Sequence, residues 1–329
     1  MKKVLAVLSV ILMFACSKSN SNQDTDLQET DGWLVDENEV TGIFSLFPLV
    51  VDPEYDTVAN TDLPDSELVG IMKFGSEIRV YPYVFTFDTE VVNDTYLGQK
   101  YVFSYCPLTK SAVSFTRTGV FRASGYLFKD NVTPWDDETE SIWSQMLFTG
   151  IKGDRINQKF NTLPIVETKW ATVKNFFPNA KVIKRLASSF GKLSTNKLPP
   201  DDGNDDGSNG EEPSTGEFVY GILDNSHNVN IFKYSDFSAK NRIDITIGSQ
   251  NYIVYGSASD RIINAFKVSN FNDFTTLDNE FPFIIEDKNG VKYDIFGVSR
   301  NGSILQKPKF ALVAAWWAWD DFYTGFKFQ

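Results

Sequence analysis

The run DTEVVNDTYLGQKYVFSYCPLTKSAVSFTR, residues 88–117, decides the class of fold. Residues 100–105 read as one strand and 112–116 as a second, joined by a Cys-Pro turn. Alternation rich in aromatic and β-branched side chains marks β-strands. Pro107 lacks an N–H and disfavours a helical conformation at Cys106. The strand is therefore expected to end at the thiol and to present it at a sheet rim. Glu90, Asn93 and Asp94 precede the strand and Arg117 follows the hairpin. If residues 89–95 fold back along 100–105, a carboxylate approaches the sulfur.

The same alternation recurs at 77–83, 228–232 and 251–255. Twenty-eight Phe and thirteen Tyr against four Met favour strands over a helix bundle. The chain also repeats itself. Val69-Gly70-Ile71 is echoed by Tyr220-Gly221-Ile222 at an offset of 151, as are Ile78, Val80, Tyr81 and Tyr83 by Val229, Ile231, Phe232 and Tyr234. Leu97-Gly98 and Tyr105 match Ile247-Gly248 and Tyr255 at 150, and Gly150, Trp170 and Phe176 match Gly297, Trp317 and Tyr323 at 147. The expected architecture is mainly β (α+β): two related β-rich repeats, 32–193 and 217–329, packed as a pseudo-symmetric pair. Each should end in a Trp-containing helix, at 167–177 and 310–323, and a shorter helix is expected from near Asp137. The second copy looks degenerate, with Gly256 opposite Cys106 and nothing in 239–244 matching Glu90, Asn93 and Asp94. Any chemistry then belongs to the first half.

The N-terminus reads as a targeting segment. Lys2 and Lys3 precede an apolar run to Ala15, shorter than the ~20 residues a bilayer span needs. Ala15-Cys16 then resembles a bacterial lipoprotein junction, giving a signal peptide over 1–15, a lipidated Cys16 and a polar tether over 16–31. A secretory signal with a coincidental cysteine is the alternative. The expected location is the cell envelope, lipid-anchored, most readily at the outer membrane. Residues 194–216 have the composition of an acidic flexible linker. Within it Asp202, Asn204, Asp206 and Gly207 match half of a calcium loop, but Pro213 stands where a bidentate Glu is needed. Lys and Arg total 31 against 43 Asp and Glu, a net charge of −12 that argues against nucleic-acid binding.

If Cys16 carries lipid, Cys106 has no intramolecular partner. It is then buried and inert, a metal ligand, or reactive. A second polar group, Ser124, Asp136, Thr139, Ser141, Trp143 and Gln145, suits either a lined pocket or ordinary helix capping. Trp316, Trp317 and Trp319 could stack sugars, though a core helix echoing Trp170 accounts for them better. The one histidine, His227, lies in the second half, which removes a Cys–His or Ser–His pair from the first. There is no CxxC, phosphate-binding Gly loop or dinucleotide fingerprint.

The ordered motifs YPYVFTFDTEVVND, VFSYCPLTKSAVSF, ASGYLF, DDETESIWSQ and TKWATVKNFFPNAKV together resemble bacterial domain-of-unknown-function family 3179. The resemblance runs from about residue 42 to the C-terminus. It implies an envelope protein of mainly β structure and no established reaction or cofactor. By position it carries over Glu90, Asn93 and Asp94, Tyr105 to Leu108, Ser124 and Gly125, and Asp136, Thr139, Ser141, Trp143 and Gln145. The chain departs from the family pattern at Thr89, where members often have His, and at Thr109-Lys110.

Two functions follow. In the first, a binding module holds a small molecule, a glycan or another envelope protein in a polar-aromatic pocket around Cys106. In the alternative, Cys106 is the thiol of an enzyme or of a thiolate-metal site, with Glu90 or Asp94 as base and Arg117 stabilising the thiolate. Nearby carboxylates oppose the second, because they raise a thiol pKa.

Overall fold

The computed structural model describes residues 32–185, 212–238 and 241–329. Cys16 and the calcium candidates Asp202, Asn204 and Asp206 lie outside them. The described chain is mainly β, in six sheets. Four of these position the site.

The first sheet places Val166–Lys169, Leu68–Phe74, Glu77–Pro82, Lys181–Ile183 and Tyr55–Thr57 side by side. The first meander is Val91–Tyr96, Gln99–Cys106 and Ser111–Thr116, so the segment upstream of Cys106 does fold back along its strand. The second half repeats this order. Its sheet runs Ala311–Ala315, Phe218–Leu223, Val229–Lys233, Phe326–Phe328, and its meander is Arg242–Ile247, Gln250–Ser257 and Ile262–Val268. In both halves the sheet strand that comes last in the chain, Lys181–Ile183 or Phe326–Phe328, runs parallel to Glu77–Pro82 or Val229–Lys233. Both carry a helix just before that strand, Trp170–Phe176 and Trp316–Phe322.

Strands inside this body are buried on both faces, which explains their composition. In Gln99–Cys106, Tyr101, Phe103 and Tyr105 face the first sheet, with Phe103 stacked on Tyr81 at 4.3 Å and Tyr105 on Tyr83 at 4.1 Å. Val102 and Cys106 face the other way, onto Val219, Val229 and Ile231 of the second sheet. Reciprocally, Val69, Ile71 and Val80 of the first sheet pack on Ile253, Ile262 and Phe266 of the second meander. The second sheet packs its remaining face on its own meander through Phe218, Tyr220 and Phe232.

Hydrogen bonds tie the halves in the same crossed fashion. Lys169 N donates to Asp260 O in the second hairpin turn, and Ala315 N donates to Thr109 O in the first.

Several expectations change. Register sets Leu68–Phe74 at an offset of 150 from the second half and the whole of 77–116 at 151. The extra residue therefore sits in the 224–228 turn of the second half, and Ser257, not Gly256, is opposite Cys106. The helices begin at Trp170 and Trp316, 146 apart, because the residues before each, Val166–Lys169 and Ala311–Ala315, form a strand. No helix starts near Asp137. Asn131–Asp136 and Ser141–Ser144 are paired strands, joined by a turn in which Glu140 takes φ 52°. Trp316 and Trp319 are buried, and a Cβ on Gly221 would meet the Trp319 ring at 2.4 Å, so this helix packs the core.

Candidate functional site

Cys106 ends its strand as expected but is fully buried rather than displayed at a rim. The second sheet and the strand pair at 121–136 cover that end. Its Sγ accepts from Val132 N at 3.4 Å and faces Asp130 O at 3.7 Å. Burial pushes the thiol pKa up, and the charge of Glu90 adds to the effect. Glu90 takes φ 57°, and burial alone raises its carboxyl to about 8. The pair disfavours a thiolate.

Asp94 and Arg117 are not at the thiol. Asp94 pairs with Tyr101, five residues up the strand, and accepts from Arg79 at 2.8 Å, Tyr81 at 2.5 Å, Tyr101 at 2.8 Å and Tyr55. It is the centre of a buried ion pair with its lone pairs filled, which is a structural arrangement. Arg117 donates to Tyr101 O and Gly119 O at the opposite end of the hairpin, too far along it to stabilise a thiolate at Cys106. Asn93 braces three segments, donating to Val50 O and Phe121 O and accepting from Phe121 N.

The second polar group separates likewise. Asp136, Thr139 and Ser141 hold the 136–141 turn together, with Thr139 donating to Asp136 at 2.8 Å. Ser124 bonds Thr133 at 2.6 Å within its hairpin, and Trp143 stacks on Phe160 at 4.7 Å in the core. Gln145 alone reaches the Cys106 region. It donates to Ser104 and accepts from Ser111 and Asn131, and Thr109 closes the network. All five side chains are fully buried, so this network fixes the hairpin rather than meeting solvent. Among the described residues no group of three His, Cys, Asp or Glu side chains is placed to share a metal.

The open space lies next door, where the halves meet. A cavity of about 760 Å³ is walled by Leu68, Tyr83, Tyr105, Phe218, Lys110 and Arg261 among others. Lys110 and Arg261 hold the same place in the two hairpin turns, 151 apart, with φ of 57° and 58°. Non-glycine residues in this left-handed region are uncommon, and the turn aims both cations inward. Arg261 lies over the Phe218 and Tyr234 rings at 4.8 and 4.2 Å, and its Nε and one terminal nitrogen have no hydrogen-bond partner. Behind it Glu167 accepts from Tyr83 at 2.9 Å and Tyr234 at 3.2 Å. Burial raises the Glu167 pKa despite Arg261 and the two phenols, and burial also raises Glu67 on the cavity wall. Burial pulls Lys110 down, opposed by Cys106.

A second cavity of about 460 Å³ opens on the other side of Tyr83 and Glu167. Of the residues singled out from sequence, the large cavity takes only Tyr105. Lys110 was noted solely as a departure from the family pattern, and Arg261 was missed. The signal available for both was their shared turn position, visible only once the hairpins are aligned at 151.

The fold thus defines a β-rich protein of two like-ordered halves with a recessed cavity between them. The profile of a family described as a protein of unknown function (DUF3179) matches residues 45–325, and the chain belongs to that family. No curated protein and no solved structure matches it.

Proposed function

We propose that this chain is a lipid-anchored binding protein of the bacterial envelope, at the outer membrane, that holds a small molecule in the cavity between its halves. In this account the halves are copies of one unit packed about a pseudo-twofold. The observation that carries the binding role is the cavity itself. Its volume of about 760 Å³ falls in the range of small-molecule sites, and its Tyr83, Tyr105 and Phe218 walls with a few fixed polar groups are what such sites use. Cys106 serves here as packing behind the wall, since burial and Glu90 both hold its thiol protonated. The lipid anchor rests on Ala15-Cys16 after a short apolar run.

Ala258, on the cavity wall, gives the test. The uncharged fluorophore N-phenyl-1-naphthylamine should bind protein beginning after Cys16 once per chain. Ala258→Trp should abolish that binding without lowering the melting temperature. Binding that survives the tryptophan would contradict the site. Anchoring is checked separately by fatty-acid labelling of the full chain in a bacterial host, which should vanish in Cys16→Ser.

A further inference from the structure

We infer that the cavity selects an organic anion, an apolar or aromatic body bearing one carboxylate, sulfonate or phosphate, with Arg261 and Lys110 as its two anion-binding residues. The inference rests on the cavity being a ligand site and names what it takes. The chain carries a net charge of −12, yet three cations line this one space, Lys110 and Lys169 from the first half and Arg261 from the second, against the single carboxyl of Glu67. Arg261 is held by the Phe218 and Tyr234 rings, contacts that leave Nε and a terminal nitrogen unused. These two nitrogens are closed off from solvent, so the charge of the guanidinium reaches the cavity through the rest of the side chain that lines it, and it lacks a counterpart that an oxyanion supplies. Glu167 does not fill that role, because its oxygens already accept from Tyr83 and Tyr234 and no ion pair joins it to Arg261 among the described residues. Much of the remaining wall, Leu63, Leu68, Tyr83, Tyr105 and Phe218, is apolar or aromatic, which asks for a body rather than a bare inorganic ion.

A matched pair of probes separates the charge from the body. 8-Anilinonaphthalene-1-sulfonate and N-phenyl-1-naphthylamine share their rings and differ by the sulfonate. Both should bind the wild type once per chain and lose binding in Ala258→Trp. Arg261→Leu should weaken the sulfonate by about 10-fold or more and the uncharged probe by a clearly smaller factor, as expected for loss of a charge-assisted contact. Lys110→Met should act in the same direction with a smaller factor. A folded Arg261→Leu protein that keeps wild-type sulfonate affinity, or that loses both probes equally, overturns the anion assignment and leaves the cavity standing. If Arg261→Leu does not fold, as judged by circular dichroism, unchanged sulfonate affinity in Lys110→Met overturns it instead. Insensitivity of both probes to Ala258→Trp would sink the ligand site itself. A competition series of benzoate, phenyl phosphate and benzenesulfonate against the fluorescent sulfonate then distinguishes the head groups.

Discussion

The two sheet–meander contacts are built on one backbone plan and filled in opposite ways. In the first half Arg79, Tyr81, Asp94 and Tyr101 form a buried ion pair bound by phenols. At the same positions, 151 further on, stand Asn230, Phe232, Ile245 and Tyr252. The second contact is closed by apolar packing through Phe232 and Ile245. A second exchange lies nearby. Tyr105 and Thr86 in the first half become Gly256 and Phe237 in the second, so one ring fills the space from either side. A Cβ on Gly256 would meet the Phe237 ring at 2.2 Å. The lesson is that polar residues conspicuous in the sequence serve stability, whereas the cations at the shared hairpin turn face the cavity.

The largest effect should come from splitting the ion pair. Asp94→Ala leaves buried Arg79 with Glu77 as its one carboxylate and takes the acceptor from Tyr55, Tyr81 and Tyr101, and should cost about 3–5 kcal/mol in urea unfolding. Replacing the set with its second-half equivalents, Arg79→Asn, Tyr81→Phe and Asp94→Ile together, should recover most of that loss. A triple variant as unstable as Asp94→Ala would show that the two contacts are not interchangeable.

Next comes the exchanged ring. Gly256→Ala should cost about 1–3 kcal/mol through overpacking, and adding Phe237→Thr should return part of it. The unfolding midpoint of the single and double variants reads this directly.

Glu90 gives an effect that depends on pH. Its folded pKa of about 8 lies above the ordinary carboxylate value, so the folded state binds the proton more tightly. That contribution is complete below the unfolded pKa near 4.3 and is lost as pH rises towards 8. The wild type should therefore lose stability relative to Glu90→Gln across this window, by up to about 1.4 kcal/mol per pH unit. Parallel stability profiles would contradict the burial of that carboxyl. The smallest effect is expected at the thiol. Cys106→Ser should leave probe affinity within about twofold, and the native thiol should resist labelling until the chain unfolds.

The two strands flanking Cys106-Pro107 were legible because alternation and that dipeptide are local signals, whereas Val91–Tyr96 was read only as a connection that could fold back. The like order of the halves was legible too, but its registration slipped by one. Leu97-Gly98 and Ile247-Gly248 were matched on glycine, whereas the turn places Leu97, at φ 45°, opposite Gly248, at φ 60°. The strand before Trp316 was hidden because short buried strands and helix segments share an apolar composition, and the one before Trp170, Val-Glu-Thr-Lys, is too short to show a period. The site was only partly readable. Glu90 is beside Cys106, but Asp94 and Arg117 point to the far end of the hairpin, and sequence proximity carried no information on that. Arg261 acquires its meaning from Phe218, Tyr234 and the opposite half, contacts no local pattern encodes.

The most direct test is a crystal structure of the protein with 8-anilinonaphthalene-1-sulfonate. The expected result is one molecule between Tyr105 and Phe218, its sulfonate beside the Arg261 guanidinium. Probe bound elsewhere, or an empty cavity under saturating probe, would contradict the account.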